Sequence, residues 1–550
     1  MPSLRFLRPH LSPAFRPLIA LVAALAVIWA IGPWGVVLVL APLLVPQLRR
    51  RILGGARALL GWRSVGVGVA VVAALAGLVL LLPDGVLPIP PGIGALTTPS
   101  YVGHPATARP INGVELPQHP FLARNGASNM HNDAGASDAY PWAGPRGSEP
   151  SVKTAWYGIE ECATLAFDRH ERLIALCGDV NSANLHIIDP DSMRKLDSFA
   201  LPARPKVEGT KPWENLCGGA YFYLDAQDRA VVATSDRRVL TFTTSDSDDQ
   251  AQLAKVETLD LSAQIPDGDC LIALMPDWDG RIWFESQAGL VGVFSPDTGQ
   301  VRVHDLGEEL VNSFSVDETG GVYIVSAEAL YRFEADPKGA PRVAWRTTYD
   351  RGVKHKPGQL SQGSGTTPTV VDERLVAITD NADDQMFVVF HDRQSGKVVC
   401  KAPVFESGRS ATENSLVTVD GGVIVENNYG YTGPQRVMLG RASEPGIARV
   451  NVNGDECEVA WTNDVVAPTS VPKVSLETGL LYVYAKRPNL WGVNAWYFTG
   501  INVRTGKTVF SVRTGLGTLF NNHYAAVTIA PDGSAFIATL AGLVRVRDRQ

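Results

Sequence analysis

At 550 residues the chain is long enough for several domains or for one large β architecture with additions, and its 45% hydrophobic and 19% charged residues are those of a globular protein. Residues 1–64 hold eight arginines and no acid, which leaves 41 basic against 56 acidic residues, a net charge of −15, on residues 65–550. A surface of that sign excludes nucleic-acid binding, which needs a basic footprint, and leaves cationic ligands and divalent metals open.

Residues 17–46 carry no charge over 30 positions, beyond the roughly 20 that a helix needs to cross the hydrocarbon core. Gly32-Pro33 at their centre allows one tilted, kinked helix or a helical hairpin that enters and leaves on the same side. Residues 65–83 form a second span of ordinary length. Between the two lie Arg49, Arg50, Arg51, Arg57 and Arg63, whereas residues 84–108 contain no Lys or Arg. The positive-inside bias places the arginine loop in the cytoplasm and everything after residue 84 outside it. Arg5, Arg8 and Arg16 favour the cytoplasm too, which supports the hairpin. Residues 1–83 are therefore expected to be a membrane anchor in the cytoplasmic membrane, with the large domain on the extracytoplasmic side, periplasmic or extracellular, where disulfides are permissible.

Residues 84–150 are rich in Pro, Gly and small polar residues without helical or strand period, as in an extended, partly polyproline-like linker. The end of this stretch, RNGASNMHNDAGASDAYPWAGPRG, is denser in Asn, Asp and His. It is too long for a plain connection and reads as disordered or as a loop wrapping the domain surface, with His131 a tether histidine.

From about residue 151 the pattern becomes short β-rich runs between Asp, Gly and Asn turns, the signature of an all-β repeat. A strand pair about a tight turn recurs eight times: ATLAFDRHERLIAL (163–176), AYFYLDAQDRAVVAT (220–234), IALMPDWDGRIWFES (272–286), SFSVDETGGVYIVS (313–326), TPTVVDERLVAIT (367–379), SLVTVDGGVIVE (415–426), PKVSLETGLLYVYA (472–485) and AAVTIAPDGSAFIAT (525–539). Each is followed by a third run and then a fourth, which carries a late Trp in RVAWRT (342–347) and EVAWTN (458–463). The eighth copy stops after its third run, GLVRVRDRQ, while VKTAWYG (152–158) precedes the first copy with the pattern of a fourth. The expectation is an all-β, eight-bladed β-propeller over 151–550, closed by an N-terminal strand that pairs into the last blade and removes both sheet edges.

DPDSMRKLDSF, SPDTGQVRVHDL, DRQSGKVVCKAP and NVRTGKTVFSVRT resemble the D-x-x-T/S-G-K-x-x-W hairpins of the PQQ-binding-like repeats of the quinoprotein-like superfamily, over about 400 residues. The resemblance implies the propeller fold. It does not fix an activity, because that superfamily includes dehydrogenases, assembly scaffolds and sensors. Its alcohol-oxidising members carry a quinone above a disulfide of adjacent cysteines; no Cys-Cys pair occurs here, which argues against PQQ as cofactor. The absence of C-x-x-C-H excludes the haem-bearing types.

In a four-stranded antiparallel blade, the second-to-third strand loops and the loops leading into the next blade share one face, around the channel mouth. At the ends of the second strands, copies five and six depart from their sisters with Asp380-Asn381 and Glu426-Asn427-Asn428, and their lead-in loops, SQGSGTT (361–367) and GRSATEN (408–414), are the most polar. The seventh has Lys486-Arg487 and an aromatic insertion, NLWGVNAWYF; LFNNHYAA leads into the eighth. Asp380, Asn381, Arg409, Glu413, Asn414, Glu426, Asn427, Asn521 and His523 form the candidate ligand site on the face lined by blades 5–8. Their carboxylates and amide oxygens suit Ca²⁺, with Asp380 and Glu426 as metal ligands, and Arg409 suits an anion. The same residue types also build turns, since their side chains cap local backbone and tolerate left-handed angles; Asp383 and Asp384 are read that way. His523 is a candidate base or ligand, or else a surface histidine.

None of the six cysteines has zinc spacing, which favours disulfides or buried thiols. Cys162 and Cys177 sit symmetrically about the first hairpin and could bridge it. Cys217 and Cys270 begin copies two and three and allow a second bridge, and Cys400 and Cys457 remain by arithmetic. No nucleophile elbow or phosphate loop is present. The functional expectation is a membrane-tethered module that binds a small molecule, metal ion or partner protein. The alternatives are a PQQ- and Ca²⁺-dependent oxidoreductase and a propeller transferase or lyase.

Overall fold

Each of the eight copies folds as the antiparallel hairpin that its apolar runs and tight turn specify, from Glu161–Phe167 with Leu173–Gly178 to Val527–Ile529 with Ala535–Thr539. The structure is a computed structural model describing residues 15–59, 62–114, 116–205, 216–217 and 221–549; Arg5 and Arg8 lie outside the described residues. Two further strands complete each hairpin into a blade, giving an eight-bladed β-propeller. Second strands such as Val322–Val325 are buried on both faces because blades pack on either side of them, whereas the outer strand Pro341–Thr348 alternates toward solvent. In blade 8 the outer strand is Pro150–Trp156, paired antiparallel with Gly542–Asp548 from Pro150↔Asp548 to Trp156↔Gly542.

The repeat's signature residues have visible tasks. In blades 1, 2 and 3 the turn aspartates Asp168, Asp225 and Asp277 accept backbone N–H groups two and four residues on, and each binds the arginine four residues ahead, Arg172, Arg229 or Arg281, at 2.6–2.7 Å. Blade 4 has Gly321 at that arginine position, where a Cβ would lie 2.9 Å from Asp317 Oδ2, and Arg393 reaches across from blade 5 to bind Asp317 at 2.7 Å. The late tryptophans clasp neighbouring blades: Trp345 Nε1 donates to Arg393 O and Trp461 Nε1 to Val503 O, both at 2.9 Å. Their rings lie over Gly396 and Gly506, where a Cβ would approach to 2.6 and 2.5 Å. That contact explains the glycine of the T/S-G-K turn. The cysteines pair as Cys162–Cys177, Cys217–Cys270 and Cys400–Cys457.

The segment expected to be disordered or to wrap the surface instead enters the channel. Residues 123–140 pass from blade to blade inside it, and their carbonyls accept the inward-facing N–H groups of the inner strands. Phe167 N donates to Ala127 O, Leu224 N to Ser128 O, Val316 N to Ala134 O, Val370 N to Gly135 O, Thr418 N to Ser137 O and Val474 N to Asp138 O, at 2.7–3.1 Å. Blades 1, 2, 4, 5, 6 and 7 are thereby tied to one plug. His131, read above as a tether histidine, is buried near its tip. The tip is locked by charge, because the fully buried Asp138 carboxylate pairs with the fully buried Lys473 ammonium. Lys473 also donates to Asn132 Oδ1 at 2.9 Å and to the Met130 carbonyl. Burial pushes the Asp138 carboxyl up, but Lys473 and His131 outweigh it and hold the group below the ordinary aspartate value.

At the N-terminal side, helices Phe15–Ile31 and Pro33–Leu40 are separated by Gly32 at φ 84°. A Cβ on Gly35 would lie 2.7 Å from Ile28 Cα, so the second helix folds back on the first as a hairpin. A third apolar helix, Trp62–Leu80, follows. Among the described residues no helix is both long and apolar enough to cross a membrane. Of the two alternatives for residues 17–46 the hairpin is the one formed, since Gly32-Pro33 divides that stretch into short arms, and the second expected span, 65–83, falls largely within Trp62–Leu80.

Removing one partner of the plug's ion pair leaves a buried charge uncompensated. Lys473→Met is expected to destabilise the domain by ~3–5 kcal/mol, and the Asp138→Asn/Lys473→Met double variant by less than the sum of the two singles. Denaturant unfolding of the four proteins measures both.

Candidate ligand site at the channel mouth

With the channel plugged, what remains open is a cavity of about 170 Å³ at the mouth, floored by Met130 and His131 and walled by the loops leading into blades 1, 2 and 4 to 8. Glu161 enters it from the first strand of blade 1, where Cys162, disulfide-bonded to its cross-strand partner Cys177, fixes the adjoining backbone. Glu413 enters from the loop before blade 6, its backbone N–H held by Asn428 Oδ1 at 2.7 Å. Arg204 and Tyr221 contribute from the side of blade 2. On the floor, His131 Nδ1 lies 3.2 Å from Asp138 Oδ1 and 3.1 Å from Ser415 Oγ, and its Nε2 is 3.4 Å from Thr367 Oγ1.

Three shielded side-chain oxygens on residues lining this cavity, Glu161 Oε1, Glu413 Oε1 and Asn414 Oδ1, have no hydrogen-bond partner. All three are acceptors. Burial holds the Glu161 carboxyl well above the ordinary glutamate value, only partly offset by the Arg204 charge, and burial does the same to Glu413 against one backbone hydrogen bond. Both are therefore biased toward the neutral form, Glu161 in spite of Arg204 and Glu413 with no cation among the described residues acting on it.

Of the nine expected site residues, Glu413, Asn414 and His523 line the cavity. His523 sits at its rim at φ 27°, with Nδ1 3.0 Å from the Tyr431 hydroxyl. Arg409 lies exposed between Glu406 and Glu444, at 3.8 and 3.6 Å. The other five are buried and build the wall. Asn381, at φ 55°, donates to Gly363 O and Thr412 O and accepts from Thr412 N; Asn427 donates to Arg409 O and Pro445 O; Asn521 caps His523 N and donates to the Tyr431 hydroxyl. Glu426 Oε1 accepts from Asn414 at 3.1 Å and Asn428 at 2.7 Å, and burial raises its carboxyl well above the ordinary value.

Both residues expected to hold a metal, Asp380 and Glu426, have one carboxylate oxygen engaged by protein donors. Asp380 Oδ1 is taken by the N–H groups of Ala382 and Phe387, at 3.1 and 2.8 Å, with its carboxyl pushed up to about 6 by burial. Among the described residues no group of three or more His, Cys, Asp or Glu gathers as a metal site. Asp383 caps the N–H groups of Val353 and Lys354, a turn role. Glu161, His131, Arg204 and Tyr221 escaped the sequence reading, which compared the ends of second strands. Comparing the residues that begin the first strands would have exposed Glu161, an acid set directly against an apolar strand.

The fold and cavity define an eight-bladed propeller with a plugged channel and one polar mouth. No family model matches the chain. A protein of Archaeoglobus fulgidus described as uncharacterised is 28% identical over 338 residues, a match covering 54% of this chain and 65% of that protein, so this chain spans less than two thirds of its relative. Among solved structures, a europium-containing methanol dehydrogenase is similar at 11% identity and TM-score 0.37, over 74% of this chain and 88% of that one. A streptogramin B lyase is similar at 13% identity and TM-score 0.31, over 58% and 89%. Similarities of that size identify neither activity nor ligand.

Glu426→Ala and Asn428→Ala are expected to lower stability by ~2–3 kcal/mol, because each strands buried polar partners, while Arg409→Ala stays within ~0.5 kcal/mol. The raised carboxyls give a pH signature. Their folded-state preference for the proton contributes stability that is fully present below the ordinary glutamate value and is lost as pH rises through the raised one. Glu413→Gln should therefore leave Tm nearly unchanged at about pH 4 and raise it by a few degrees at about pH 8, as thermal unfolding across that range will show.

Proposed function

We propose that the protein is a membrane-attached, extracytoplasmic propeller whose mouth cavity binds a small ligand rich in hydrogen-bond donors, an amine or similar organic cation. The carrying observation is that three shielded oxygens on residues lining the cavity, on Glu161, Glu413 and Asn414, are acceptors without a partner, in a lining whose one full-time cation among the described residues is Arg204. A buried acceptor left unpaired costs ~1–3 kcal/mol, so a ligand that supplies N–H groups recovers that energy. A positive charge adds to it by letting Glu161 or Glu413 ionise, and the acidic domain attracts cations at longer range.

Attachment to a membrane is supported by the helices before residue 81, whose Ile19, Leu21, Val22, Leu25, Val69 and Val72 side chains are at least half exposed, a surface that water alone would not leave dispersed. Three disulfides suit an oxidising compartment. The quinone cofactor suggested by the repeat is poorly matched to the mouth: PQQ carries three carboxylates, and the cavity offers one guanidinium, Arg204, against the acceptors of Glu161, Glu413 and Asn414. A transferase or lyase remains the second reading, favoured by His131, an imidazole oriented by Asp138 on the cavity floor where a general base would stand.

Thermal-shift and calorimetric titration with putrescine, choline and glucose tests the ligand class. The amines should raise Tm, bind more tightly as pH rises and release protons on binding, with the effect lost in Glu413→Gln and Glu161→Gln. Equal shifts with glucose, or none with either amine, would overturn the reading. Membrane attachment is checked separately by flotation of the full chain with phospholipid vesicles through an alkaline carbonate wash.

A further inference from the structure

The helical hairpin does not hang free of the propeller. Its turn docks on the loop between the second and third strands of blade 7: Trp34 Nε1 donates to Leu490 O at 3.0 Å, and Pro33 lies against Gly492, where a Cβ would be 3.4 Å away. The linker clamps the same junction, with Gly94 N donating to Trp29 O at 2.7 Å and Leu96 N to Ala30 O at 2.9 Å. A Cβ on Gly32 would lie 2.8 Å from Val493 Cγ2, so only glycine permits this approach. The corresponding loop of blade 6 abuts it, since a Cβ on Gly440 would meet Asn489 O at 2.6 Å.

Around that junction the two loops expose Leu439 (62%), Leu490 (96%) and Trp491 (47%), and they carry Arg436, Arg441 and Arg487 on their exposed surface. Their one acid, Glu444, faces Arg409 at 3.6 Å. The patch is locally basic on a domain whose charge is strongly negative, and its apolar side chains continue the apolar surface of the hairpin. Exposed Leu and Trp flanked by arginines have the composition of a surface that settles into the headgroup region of an anionic bilayer. Loops between second and third strands share the face of the cavity mouth, so the platform and the mouth look the same way.

We infer that the blade 6 and blade 7 loops form a platform resting on an anionic phospholipid surface beside the hairpin, which turns the cavity mouth toward the bilayer. This rests on the membrane attachment proposed above. The mouth then samples the interfacial layer, and its ligand is a small cation concentrated at that surface or the amine of a lipid headgroup.

The test is hydrogen exchange of the full chain in detergent, in phosphatidylcholine nanodiscs and in nanodiscs containing phosphatidylglycerol, with vesicle flotation run on the same proteins. Residues 434–441 and 487–493 should exchange more slowly in the phosphatidylglycerol discs than in either other medium. Arg436→Ala and Arg487→Ala should each reduce that protection about fivefold, and Leu490→Asp/Trp491→Asp should abolish it while flotation persists. A chain that floats with these loops exchanging equally in all three media, or with protection indifferent to every variant, overturns the platform alone. A chain that does not float overturns the attachment and the platform together.

Discussion

Eight inner strands converge on one axis with their free edges turned inward, and the backbone groups on those edges are too deeply buried to be left to water. The plug of residues 123–140 answers this requirement with its own carbonyls, each placed opposite a strand N–H as the chain passes one blade after another. No regular secondary structure could do so, because a helix or strand pairs with itself or with one neighbour, whereas here six blades must be reached from one short segment. Asn132, Ala136 and Asp138 at positive φ, together with the side-chain oxygens of Asn129 and Asp133, which accept the His131 and Gly135 N–H groups, let the backbone change direction that often.

The position and character of the cavity follow from the plug. A filled channel leaves a polar cavity at the mouth, and the plug puts Met130 and His131 on its floor. Behind the walls, Asn381, Thr412, Asn428, Glu426 and Asn414 form a continuous relay of hydrogen bonds from blade 5 to blade 6. The relay fixes the backbone from which Glu413 projects. Polar density in this region is largely scaffold, and few of its side-chain oxygens are left without partners.

The blades were legible because their signals are local and repeated: Asp-led turns, a glycine beneath each late Trp, and a spare fourth strand ahead of the first copy. The polarity around Asp380 and Glu426 was legible as well, but not its task, since an amide that bridges two loops and an amide that binds a ligand look alike along the chain. The plug was invisible for a different reason. Its contacts are made by carbonyl oxygens, which every residue possesses, so its Asn, Ser and Gly content reads the same whether the segment lies in water or in a channel. Glu161 was hidden beside a second acid, Glu160, which binds His186 at 3.0 Å and whose carboxyl, despite burial, is lowered to about 2 by His186 and Lys195.

The pairing of residues 150–156 with 542–548 also sets an order of events during synthesis. The plug and the outer strand of blade 8 emerge before any complete blade exists, so the ring assembles around a segment already present and cannot be threaded by it afterwards. Throughout that interval the strand at 150–156 offers an unpaired, partly apolar edge, the kind of surface that recruits other chains. Every chain passes through this open stage before its own 542–548 is available. Keeping that edge from neighbouring copies is thus a demand on the cell's holding factors at the site of synthesis, one that the finished, edge-paired propeller no longer shows.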